Sequence, residues 1–169
     1  MKSSLLIIIF ACILYGCTNE SPNFDKLIYK TTGCFGTFPT YYLEINNDKS
    51  FKLYAETVYK KETSIFDFEL DSAKMGYFIG QLDELTFQNL TKKIRRVSKP
   101  NYTYYNNYSI TDTPTITLII QRGGDKTCYE TSNPTNDFQN NIVNFFNKIC
   151  SGNYEKGEKF KTDYKYDCY

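Results

Sequence analysis

Alternating and helically spaced apolar residues divide this chain into strands and two helices. Leu27 to Thr32 reads as a strand and breaks into Gly33-Cys34-Phe35-Gly36-Thr37-Phe38-Pro39, a run of turn formers. Tyr41, Leu43 and Ile45 alternate with Thr40, Tyr42 and Glu44. After a turn at Asn46-Asn47-Asp48-Lys49 the alternation resumes at Phe51, Leu53 and Ala55, which predicts a hairpin over residues 40–56. Phe66, Phe68 and Leu70 oppose Asp67, Glu69 and Asp71 as a further half-buried strand, and Met75 to Gly80 adds a short one.

The period then changes. Phe87, Leu90, Ile94 and Val97 recur at helical spacing, with Asp83 as N-cap, Leu82 and Phe87 placed for a hydrophobic staple, and Pro100 beyond the end. Thr115 to Gln121 and Lys126 to Thr131 flank Gly123-Gly124, a two-residue hairpin signal. Phe138, Ile142, Phe145, Phe146 and Ile149 define a second helix, capped by Thr135 and followed by Gly152. The expected fold is α+β: an antiparallel sheet of about six strands, order β-β-β-β-α-β-β-α, with two helices packed on one face. Residues 153–169, charged and rich in Tyr, read as an appended tail.

The first residues read differently. Leu5 to Leu14 is an unbroken apolar run that as a helix rises only about 15 Å, half of a bilayer core. It has the length of a secretory signal core, with Lys2 ahead of it. Leu14-Tyr15-Gly16-Cys17 resembles a bacterial lipobox, with Tyr15 bulkier than the usual residue there. This makes residues 1–16 a lipoprotein signal peptide, Cys17 the lipidated first residue of the mature chain, 17–26 a tether and 27–152 a single domain. A diacylglycerol thioether with a further palmitate-type acyl chain suffices for stable anchoring. The expected location is the periplasmic or cell-surface side of a membrane, the outer membrane in particular.

Composition narrows the chemistry. The 169 residues carry 20 Lys+Arg and 19 Asp+Glu, and loss of Lys2 with the signal balances the charge. A neutral chain lacks the basic excess that nucleic acid requires. Histidine is absent, which removes imidazole-dependent nucleophile activation and almost every catalytic zinc site. Tyr, Phe, Asn, Lys and Ile, all abundant, have AT-rich codons, so genome bias alone accounts for much of the aromatic count. With Cys12 in the signal and Cys17 lipidated, Cys34, Cys128, Cys150 and Cys168 remain for disulfides in an exported compartment. Four cysteines allow three pairings; Cys34 with Cys128 and Cys150 with Cys168 is the expected one.

The segment from Gly33 to Tyr41 resembles the opening motif of an uncharacterised bacterial domain family, a domain of unknown function found largely in lipoproteins of the Bacteroidetes. Its members usually read Cys-Phe-Gly-x-Cys-Pro before a strand, a turn and a second strand. Gly76-Tyr77, the helix at 83–97, Asp112-Thr113-Pro114 before a strand, a hairpin and a last helix follow in the family's order, over roughly residues 27–150. Phe38 stands where the family has its second cysteine, so a dithiol within this loop is impossible here. The resemblance implies no activity.

Several residues invite chemistry. Cys34 between glycines is a candidate thiol sensor, against a plain structural role. Glu44, Asp67, Glu69 and Asp112 are the carboxylates a glycan-acting enzyme would draw on, provided two of them stood about 5–9.5 Å apart in a cleft. Lys92, Lys93, Arg95, Arg96 and Lys99 offer cations to anionic headgroups or an acidic partner, or simply complement a helix end. Tyr102, Tyr104, Tyr105 and Tyr108, interleaved with Asn101, Asn106 and Asn107, have the composition of a contact surface. No cofactor fingerprint or metal-ligand spacing is present in the sequence. The expectation is a non-enzymatic, membrane-anchored module that binds an envelope protein or glycan, inhibitor- or immunity-like in size. A carboxylate enzyme is the alternative and a sensor through Cys34 the second.

Overall fold

A computed structural model describes residues 23–32, 38–60, 69–104, 113–162 and 168. Six strands, β1 (Lys26–Thr31), β2 (Thr40–Asn46), β3 (Ser50–Thr57), β4 (Gly76–Gln81), β5 (Ile116–Arg122) and β6 (Asp125–Thr131), form one sheet in the order β4-β3-β2-β1-β5-β6. Every pairing is antiparallel. Helix α1 (Glu84–Val97) lies between β4 and β5 in the chain, and α2 (136–150) follows β6. The α+β fold and element order match the sequence reading. The strand expected over 66–71 falls mostly outside the described residues; Leu70 forms an isolated bridge with Tyr59.

Local signals explain the connections. Gly123 and Gly124 both have positive φ, 55° and 95°, as a two-residue hairpin between right-twisted strands requires. At the β2–β3 turn Lys49 takes φ 73°, and Asp48 accepts hydrogen bonds from the Ser50 amide and hydroxyl. Asp83 caps α1 by accepting from the Thr86 amide at 2.9 Å, and Thr135 caps α2 by accepting from the Phe138 amide at 3.2 Å.

Strand alternation then assigns two faces. Leu27, Tyr29, Leu43, Ile45, Leu53 and Leu118 point to the helices and form one core with Phe87, Leu90, Ile94, Phe138, Ile142 and Phe146. Within α2, Gln139–Val143 is a π turn, closed by the Asn144 amide on the Gln139 carbonyl. The wider turn rotates the buried stripe, so Val143 is buried and Phe145, expected in the core, is half-buried beneath Lys93.

The opposite face is also covered. Beyond α2 the described residues run back along the sheet. Still on the helix side, Tyr154 packs edge-on against Phe51, with ring centroids 4.7 Å apart, and donates to the Ile149 carbonyl. Lys156 bridges Phe78 on the β4 edge, and Phe160 packs with Ile28, Tyr42, Tyr54, Ile119 and Cys128 on the second face. Cys168 is bonded to Cys128, Cα to Cα 5.5 Å.

This corrects the expected pairing. Cys150 is free and buried, and Cys34 lies outside the described residues. The sheet itself is the reason: Cys150 faces the core between sheet and helices, whereas Cys128 stands on the far face, where the returning chain passes.

Candidate functional site

Loops from three strand ends meet the π turn of α2 at one end of the sheet. Thr31 ends β1, and its hydroxyl donates to the Pro39 carbonyl at 2.7 Å while accepting from the Tyr41 amide at 3.0 Å. This ties the end of β1 to Pro39 and Tyr41 at the start of β2. On the neighbouring strand the Thr32 amide donates to the Thr115 carbonyl, and the Thr115 amide to Thr32 Oγ1. Thr113 in turn donates to the Ser132 carbonyl at 2.9 Å, tying the entry of β5 to the exit of β6.

Between these ties lies a pocket of about 230 Å³. Phe38, Pro39, Pro114, Ile116, Pro134 and Val143 make its apolar walls. Thr31, Thr113, Ser132, Asn133, Gln139 and Asn147 contribute hydroxyls and amides. Phe38 with Pro39, and Thr113 with Pro114, from two segments singled out in the sequence, thus contribute to one cavity. Phe38 is half exposed at 52%. The π turn that supplies Gln139 and Val143 was not legible, because its five-residue spacing leaves no separate sequence signal.

None of the described lining residues is ionisable. Apolar walls with a few amide and hydroxyl groups suit a ligand's apolar group oriented by neutral hydrogen bonds. No group of three or more His, Cys, Asp or Glu stands ready for a metal ion among the described residues.

The other expected site residues are dispersed. Glu44 pairs with Lys26 at 3.1 Å on the second face, and Glu69 pairs with Lys60 beyond the end of β3. Asp67 and Asp112 lie outside the described residues, as do Tyr105, Tyr108, Cys17 and Cys34. Tyr102 and Tyr104 turn inward, Tyr102 toward Phe138 and Tyr104 edge-on to Tyr129 at 5.2 Å. Asn101 and Thr103, alternating with them, are exposed.

The cationic run also divides. Lys93 lies over Phe145, 5.3 Å from its centroid, whereas Lys92, Arg95, Arg96 and Lys99 border a shallow hollow of about 540 Å³. Asp137 of α2 reaches into that hollow and binds Arg96 at 2.6 Å. Cys150 shows no sign of activation, since burial pushes its thiol up from the ordinary value.

Against this framework the family is decided by a profile that matches residues 25–151, three-quarters of the chain. The chain belongs to the family described as domain of unknown function (DUF6438). The DUF6438 match opens just ahead of β1 and closes just after α2, so it holds all six strands, both helices and the pocket. The returning segment after residue 151 lies outside it. No curated protein matches the sequence.

Proposed function

We propose that this chain is an exported lipoprotein, anchored through Cys17, whose DUF6438 domain is a non-catalytic binding or accessory module of the cell envelope. The observation that carries the binding reading is the pocket of about 230 Å³ with an uncharged lining. Such a site offers shape and neutral hydrogen bonds, and its described walls carry no ionisable acid or base to activate their hydroxyls. The anchor rests on the apolar run to Leu14 and the lipobox-like Leu14-Tyr15-Gly16-Cys17. Among the described residues no helix is long and apolar enough to cross a membrane. The source in Bacteroidetes, the outer-membrane location and an envelope protein or glycan as partner belong to the same proposal. An inhibitor- or immunity-like role fits the same size and chemistry.

The test is a crosslinked pull-down of the tagged, full-length protein from detergent-solubilised native envelopes, beside Cys17→Ser and Phe38→Ala variants. Intact mass should show acylation at Cys17 that the Ser variant lacks. A partner recovered near stoichiometry and lost with Phe38→Ala supports the reading. Recovery indifferent to Phe38, or turnover of an envelope glycan by the purified protein, would overturn it.

A further inference from the structure

Antiparallel register sorts the second face of the sheet into rows. Tyr77, Tyr54, Tyr42, Lys30, Thr117 and Glu130 form one row across all six strands. Ile79, Lys52, Glu44, Ile28, Ile119 and Cys128 form the next. Among the described residues no helix packs here, yet Ile28 and Ile119 are wholly buried and Tyr42 nearly so. Their cover includes the returning segment, which the family match does not reach.

That segment sits on the face as a bound peptide would. It rounds the β4 edge, where the Gly157 amide donates to the Tyr77 carbonyl at 2.8 Å, in the manner of an added edge strand. A side chain at Gly157 would meet Ile79, whose Cγ1 is 2.9 Å from the Cβ position. Three residues on, Phe160 meets Tyr77 edge-on at 5.1 Å, and Lys52 Nζ lies 5.9 Å from its centroid. Glu155 and Lys156 ahead of these anchors, and Glu158 and Lys159 between them, are exposed. The segment from Gly157 to Cys168 can extend to about 36 Å, more than the roughly 24 Å across six strands.

The far end is closed by chemistry that can be undone. Cys128 lies on the edge strand β6, and both it and Cys168 are half-buried, within reach of a small thiol; Cys150 is not.

We propose that the second face of the sheet is a docking surface for an extended peptide with a glycine three residues ahead of an aromatic, that residues 157–162 are its resident occupant, and that the Cys128–Cys168 bond is the latch. Opening the latch takes two electrons from a dithiol. Its thiolate attacks one sulfur to give a mixed disulfide, its second thiol displaces the remaining one, and Cys128 and Cys168 end as protonated thiols beside a cyclic disulfide. This surface is independent of the pocket and of the lipid anchor.

Hydrogen exchange on the full mature chain, with and without dithiothreitol, tests the latch. Reduction should speed exchange at the Gly157 amide at least tenfold and leave the α1 amides unchanged. Unchanged Gly157 exchange in protein shown by alkylation to be reduced would overturn the latch. Equal acceleration throughout α1 would also overturn it, marking the bond as a staple of the whole fold. The docking surface is tested by titrating full-length protein carrying Phe160→Ala and Cys168→Ser with a labelled peptide of residues 153–162. Saturable binding that a Phe160→Ala peptide loses supports the surface; no binding, or equal binding by both peptides, sinks it. The exchange measurement needs no variant, so a folding defect in the double substitution leaves that test standing.

Discussion

The hydroxyl of Tyr29 donates to Asn147 Oδ1 at 2.9 Å, joining the central strand to the second helix beside the pocket wall. The Tyr29 ring also stacks on Phe146, 4.6 Å between centroids and 10° from parallel. Tyr29→Phe keeps the stack and removes the donor, so it should cost about 1 kcal/mol in denaturant unfolding. Tyr29→Ala loses both and leaves a cavity, so about 3–5 kcal/mol is expected. Equal losses for the two variants would show that the hydrogen bond, not the ring, holds this contact.

Stability should form a plateau in pH with a fall on each side. At the alkaline end, burial raises the Cys150 thiol above its ordinary value near 9.0, and raises the Tyr29 and Tyr41 hydroxyls above theirs near 10.0. Above those ordinary values the unfolded chain releases protons that the folded chain retains, so unfolding is favoured as pH rises. At the acid end, Asp83 is held below the usual carboxylate value by its bonds from Thr86, Asp48 by Ser50, and Glu84 by Lys49. Their contribution is complete above the unfolded values near 4 and fades as pH falls through the lowered ones. Chemical denaturation from pH 2 to 11 checks this, and Cys150→Ala should flatten the first part of the alkaline limb.

The two helix caps were legible because capping is local: Asp83 and Thr135 each stand three residues ahead of the amide they accept from. The strand faces were legible for the same reason, since Leu43 and Ile45 repeat every second residue. Tyr42 shows where that reasoning stops. By alternation it belongs outside, and it is buried because a segment more than a hundred residues away returns over it. That segment touches the fold through Tyr154, Gly157 and Phe160 among charged neighbours, a spacing with no period to read. The disulfide was hidden with it, because choosing among three pairings needs the path of the returning chain. The pocket was half legible: its loops were marked by Gly and Pro, and its π turn was not.

Gly152 was expected for its freedom at a helix end, and its role is closeness. A Cβ there would lie 2.5 Å from Tyr154 Cζ and 2.6 Å from its hydroxyl. Gly152→Ala should swing the Tyr154 ring out, breaking its bond to the Ile149 carbonyl and its edge contact with Phe51. About 1–2 kcal/mol should be lost, most of it already absent in a Tyr154→Ala background. A double-mutant cycle by urea unfolding measures this; additive effects would contradict it.

Thr135 joins three things at once. Its hydroxyl oxygen accepts from the Phe138 amide and donates to the Thr103 carbonyl at 3.1 Å, while its own amide donates to the Tyr104 carbonyl at 3.1 Å. Thr135→Ala removes both side-chain bonds, so the expected loss is about 1–2 kcal/mol, the upper part of the range for a helix cap. Thr135→Ser keeps both bonds and should recover most of it. The loss should also be visible locally, as faster exchange of the Phe138 amide, which loses its acceptor at the first turn of α2. If the Ala variant unfolds within about 0.5 kcal/mol of the parent, as an ordinary surface change would, the hydroxyl is not what holds the start of α2 against the loop.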